Sequence, residues 1–165
     1  MIAPAPVLSW EWIGFTWVDE SDISTYRYGC CDASYAAWGT ARSDWNATNT
    51  PINFTVEPNV GEENIRLRTV NKNDVEWDGI ASVTIAGGVI NWVDARLNEF
   101  YTDGYVAAKR LSVTSHELGH TLGLAHENGV AVVMNGITCG FNSRWCTFGV
   151  SKPQQDDING INAIY

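Results

Sequence analysis

Between Trp10 and Val18 the apolar residues Trp10, Trp12, Ile13, Phe15, Trp17 and Val18 form a β-prone, partly alternating run, which predicts a half-buried strand. Asp32 is placed to cap a helix through Tyr35, Trp38 and Trp45, and Asn49-Thr50-Pro51 ends it. Short β-forming runs follow at 52–56 and 65–70. At the far end, Ser151 can cap and Pro153 suits the first turn of a helix on which Ile158, Ile161, Ile164 and Tyr165 recur at helical spacing. Strands around one helix, followed by further helices, read as α+β, with a cleft between a larger N-terminal and a smaller C-terminal part. The 165 residues, 45% of them apolar, suffice for one core, and no linker or repeat interrupts them. A single domain over 1–165 is expected, with an N-terminal subdomain of about 1–123 and a C-terminal one of about 124–165.

The chemistry is concentrated in one window. All three histidines lie in His116-Glu117-Leu118-Gly119-His120-Thr121-Leu122-Gly123-Leu124-Ala125-His126. On a helix, His116 and His120 project from one face and can aim at one metal ion. His126 joins them only if the helix stops, and Gly123 tolerates the left-handed conformation that ends helices. Three neutral imidazoles leave a fourth position for water, the arrangement of catalytic rather than structural zinc. Glu117, beside the first ligand, is placed to take that water's proton as it attacks a peptide carbonyl. A bare HExxH arises by chance on helices of average composition; HExxHxxGxxH rarely does.

That extended motif, with Met134 eight residues after His126 in Val132-Val133-Met134-Asn135-Gly136, resembles the metzincin metallopeptidases, whose methionine-containing turn underlies the zinc site. Segment 151–165 resembles the closing helix of the matrixins, the matrix-metalloproteinase branch, and 79–84 and 90–100 resemble that branch's substrate-edge strand and the strand after it. Glu127 is instead similar to astacins, but the short step to Met134, and Gly136 where astacins and serralysins carry a metal-binding tyrosine, favour the matrixin branch. The resemblance implies a metzincin-like zincin fold: a twisted, mostly parallel sheet with an antiparallel edge strand, an active-site helix, a methionine turn and a C-terminal helix. It further implies a zinc metalloendopeptidase with one catalytic Zn2+ on His116, His120 and His126, and Met134 in the turn beneath. An extended polypeptide substrate would add to the edge strand at Ala81, Ser82 and Val83, with a pocket beside 130–138 receiving the residue after the cut. No histidine is left for the second, structural zinc of vertebrate matrixins.

Calcium is possible but unsupported by any motif. Asp74, Glu76, Asp78, Asp94 and Asp103 could supply oxygen ligands, yet EF-hand-type spacing is absent and solvated loop carboxylates are the plainer reading. A net charge of −9 argues against nucleic-acid and anionic-membrane partners, and no apolar run is long enough to span a bilayer. The opening residues 1–6 lack a basic start and a long apolar stretch, and no PRCGxPD-like latency peptide is present, so the chain reads as mature; a secreted, extracellular monomer is expected. Four cysteines suit disulfides, with three connectivities open. Cys139 with Cys146 is preferred, bracing the loop after Met134 and leaving Cys30 and Cys31 as a vicinal pair or reduced; alternatively both N-terminal cysteines tie to the C-terminal two. The eight tryptophans, Trp10, Trp12 and Trp17 included, are read as core packing rather than as a carbohydrate surface. A secreted zinc endopeptidase therefore stands against a catalytically inactive, zinc-stabilised extracellular binding module, and the intact Glu117 favours the peptidase.

Overall fold

The computed structural model describes residues 10–29 and 32–165; Cys30 and Cys31 and the opening 1–6 fall outside them. Five strands form one sheet: β1 (Ile23–Arg27), β2 (Phe54–Val56), β3 (Ile65–Val70), β4 (Gly79–Ala86) and β5 (Val89–Asn98). Their spatial order is β2-β1-β3-β5-β4. The pairs β1/β2, β1/β3 and β3/β5 are parallel, and β4 closes one edge antiparallel to β5, with a register shift between Thr84 and Ile85. This is the mostly parallel sheet with an antiparallel edge that the resemblance implied. Helix α1 (Ala33–Asn46) starts where expected, Asp32 accepting from the Tyr35 amide at 2.6 Å. It packs against α3 (Ala107–Thr121), and Trp38, Trp45, Val113 and Leu118 meet the buried faces of β1, β3 and β5 at Ile23, Ile65, Leu67, Val93, Ala95 and Leu97.

Several sequence-based expectations need correction. Residues 10–18 form no strand; Trp12 makes a single antiparallel bridge with Leu124. The physical reason lies at the end of α3, whose last carbonyls lack intrahelical partners. Trp17 is buried and its indole donates to Thr121 O at 2.7 Å, Ile13 N donates to Gly123 O at 2.9 Å, and the Tyr165 hydroxyl donates to Leu122 O at 3.1 Å. The segment satisfies a helix end instead of a sheet edge. Of its aromatics, Trp12 remains 51% exposed, so the core reading holds for Trp17 and not for Trp12.

Strand β5 stops at Asn98 because that buried amide turns to staple the preceding loop, bonding both the N–H and C=O of Lys72 at 2.9 Å and the Trp77 carbonyl at 3.1 Å. A short helix α2 (Glu99–Thr102) begins there. The last helix, α4 (Gln155–Ile164), is capped by Gln154 rather than Ser151, and Pro153 precedes the cap instead of lying in the first turn. Asp157 decides the start: it closes a capping box with Gln154 at 2.7 Å, and its carboxylate also accepts from Val133 N at 2.9 Å and Met134 N at 3.1 Å.

Gly123 ends α3 at φ +92, a conformation L side chains rarely adopt, and a Cβ there would meet the Phe15 carbonyl at 2.8 Å. Gly123→Ala is expected to lower stability by about 1–2 kcal/mol from backbone strain alone, read as a downward shift of the urea midpoint at unchanged slope.

Candidate metal centre and its cleft

Helix α3 is buried along most of its length from Arg110 to Thr121, so the side chains His116 and His120 point into a protected space. Their Nε2 atoms lie 3.1 Å apart. After Gly123 the chain reverses, Leu124 N bonding back to Gly119 O at 3.2 Å, and His126 arrives with its Nε2 3.1 Å from that of His116. The three form a group whose ligand atoms all lie within 4.8 Å of one another. Ligands at 2.0–2.1 Å from a tetrahedral ion lie roughly 3.3–3.4 Å from each other, so the spacing suits zinc.

The tautomers are fixed by the other ring nitrogens. His116 Nδ1 faces Val133 O at 2.7 Å and His120 Nδ1 faces Leu124 O at 2.8 Å. A carbonyl only accepts, so each Nδ1 carries the hydrogen and each Nε2 presents a lone pair. Burial favours the same neutral form. It holds His116 well below the usual imidazole range, with Arg144 adding to the effect, takes His120 down to about 4, and lowers His126 as well.

Glu117 is 4% exposed, and burial pushes its carboxyl up to about 8, against the pull of the Arg144 guanidinium; nearby Asp78 adds to the rise, while a hydrogen bond from the Ala81 amide opposes it. Met134 is buried beneath the helix, at a contact that Gly119 permits because a Cβ there would overlap the thioether sulfur. The turn carrying Met134 is held from below by Asp157 and from the side by Glu127 N, which donates to Met134 O at 2.9 Å.

A cleft of about 700 Å³ opens over these groups, lined by all three histidines and Glu117, by Ile80, Ala81 and Val83 of β4, and by Gly136, Ile137, Thr138 and Cys139. Strand alternation divides the expected edge residues: Ala81 and Val83 line the cleft, while Ser82 turns to the other face, where its hydroxyl accepts from Arg96 at 2.6 Å. Cys139 and Cys146 are joined by a disulfide.

The calcium candidates are not gathered. Asp94 pairs with Arg68 at 2.5 Å and Arg96 at 3.4 Å, Asp78 accepts from the Tyr105 hydroxyl at 3.3 Å, and Asp74, Glu76 and Asp103 are exposed. Sequence reasoning missed Tyr101, Tyr105 and Arg144, which also line the cleft. Isolated residues with no motif spacing give no signal that could have found them.

The sequence profile of the matrixin peptidases, Peptidase M10, matches residues 32–165. Interstitial collagenase of Bos taurus is 30% identical over an alignment of 125 residues that covers 70% of this chain and 25% of that protein, so the chain spans about a quarter of this curated relative. Among solved structures, high choriolytic enzyme 1, a hatching enzyme zinc-protease from Oryzias latipes, is 14% identical with a TM-score of 0.53 over 93% of this chain and 94% of that one, a likeness of fold alone. A crystal structure of myroilysin is 19% identical, with a TM-score of 0.49 over 68% of this chain and 47% of that one. Matched to the matrixin profile over all of its length beyond residue 31, the chain belongs to the matrixin family.

Proposed function

We propose that this chain is a secreted zinc endopeptidase, with His116, His120 and His126 holding the metal and Glu117 acting as general base. The observation that carries this reading is the convergence of three Nε2 atoms, two with their lone pairs fixed by carbonyls at the far ring nitrogen, beside a buried carboxylate. The names of two similar proteins, a collagenase and a hatching enzyme zinc-protease, support it.

Zinc held there would supply a Lewis acid that polarises the scissile carbonyl, lowers the pKa of water to roughly 7 and favours the ionised form of Glu117. The chain's own groups do the rest. Glu117 takes the proton of the attacking water and passes it to the amine that leaves, so no covalent intermediate with the protein is required. Glu117 lies against β4, where a Cβ at Gly79 would meet its Oε1 at 2.6 Å, which keeps the base beside the edge where the substrate lies. That edge has unpaired backbone groups on its outer side, suited to an extended polypeptide, and the recess beside residues 130–138 takes the residue after the cut. Met134 supports the histidines from the turn below. The two subdomains, about 1–123 and 124–165, meet at this cleft. The Cys139–Cys146 disulfide favours an oxidising, extracellular setting. We further take the chain to work as a monomer, without nucleic-acid or membrane partners; no helix among the described residues is long and apolar enough to cross a membrane.

Glu117→Gln is expected to lower kcat/KM on a denatured protein substrate by about 10²–10⁴-fold while zinc stays bound, measured by peptide release and metal analysis of the same sample. Undiminished cleavage would reject Glu117 as the base. For pH, protons and metal compete for the same Nε2 lone pairs, and burial lowers all three imidazoles, so the neutral ligand form persists below the free-imidazole value. Zinc content after dialysis at stepped pH should fall to half between about pH 4 and 6, and half-loss at pH 6.5 or above would contradict a buried ligand set.

A further inference from the structure

Arg144 is 1% exposed and lines the cleft. Its guanidinium is held by neutral acceptors only: Nε donates to Ser112 Oγ at 2.9 Å, Nη2 to Thr138 Oγ1 at 2.9 Å, and Nη1 to the Asn135 carbonyl. A guanidinium carries five N–H groups, so one on each terminal nitrogen remains. The ion pairs among the described residues engage Arg66, Arg68, Arg96 and Lys152, and none brings a carboxylate within 4.0 Å of Arg144. Asp78, whose charge bears most on it, is engaged by the Tyr105 hydroxyl. Burial and Asp78 push that hydroxyl up to about 12, so it stays a donor and Asp78 stays its acceptor. Arg110, also buried, gives its hydrogen bonds to the Thr102 and Asp103 carbonyls and does not line this cleft.

A buried guanidinium with two N–H groups left over is unfavourable unless acceptors arrive to complete it. The loop holds this one ready. Arg144 N bonds to Ile137 O at 2.7 Å, Trp145 N and Cys146 N bond to Thr138 O at 3.2 and 3.3 Å, and the disulfide from Cys139 to Cys146 spans the residue. Its side chain and that of Thr138 therefore stay fixed relative to His126 and Gly136 on the same wall.

We propose that the cleft selects an acidic side chain, glutamate or aspartate, in the residue that follows the cut, and that Arg144 is the residue that selects it; this rests on the peptidase reading above. A carboxylate reaching the guanidinium takes the two free N–H groups in a charge-assisted fork, while leucine gives them no acceptor.

The test uses the zinc-loaded chain and peptides matched except for glutamate, glutamine or leucine after the scissile bond. Glutamate should give a kcat/KM at least about tenfold above glutamine and leucine, and Arg144→Gln, checked for its melting temperature and zinc content, should bring the ratio near one. Equal rates, a preference for leucine, or an unchanged ratio in folded Arg144→Gln would overturn the proposal; should that variant not fold, the ratio in the unaltered chain decides. Cleavage of no peptide, or cleavage undiminished in Glu117→Gln, would instead overturn the peptidase reading. Selectivity is then read as the relative affinity of zinc-loaded Glu117→Gln for the glutamate and glutamine peptides, equal affinities overturning it.

Discussion

Nitrogen lone pairs aimed at one another across 3.1 Å repel, and most of what surrounds the His116–His120–His126 cluster works against that repulsion. Each restraint comes from a different part of the chain. The helical repeat sets His116 above His120, the left-handed residue at 123 returns His126, and carbonyls of Val133 and Leu124 lock two rings by their outer nitrogens. Such a constellation is rigid because its supports are main-chain atoms of packed elements, not flexible side chains.

The same carbonyl that orients His116 belongs to Val133, the neighbour of Met134, so ligand geometry and methionine turn are one mechanical unit. Asp157 anchors that unit from α4, and Trp17 and Tyr165 tie the far end of α3 from the N-terminal segment and from the end of the chain. The sheet contributes on the opposite side: β4 lies at its rim, and Glu117 packs against its first residue, Gly79. The histidine cluster, Glu117 and the rim strand thus share a frame built from both halves of the chain.

How much was readable in advance follows from how local each signal is. The HExxHxxGxxH window is legible because its geometry is set within eleven consecutive residues by helical spacing and one glycine. Strands at 52–56 and 65–70 were found within a residue or two, since their apolar alternation is strong. Strand β1 was missed: Ile23-Ser24-Thr25-Tyr26-Arg27 has little apolar content, and Thr25 is buried only because its hydroxyl finds Thr55 O at 2.7 Å. The segment 10–18 was misread because the Trp17 indole and the Ile13 amide answer to carbonyls at Thr121 and Gly123, over a hundred residues away. Arg144 left no trace in the pattern, as its partners Ser112, Asn135 and Thr138 meet only in three dimensions.

The anchoring carboxylate on α4 also sets an order of assembly. During translation the histidine window emerges some thirty residues before Asp157, when the amides of Val133 and Met134 have nothing to bind. Ribosome-bound chains that have not yet exposed residue 157 therefore carry all three histidines but lack the foundation beneath them. Docking of the last helix completes the support beneath His116, whose ring the Val133 carbonyl orients.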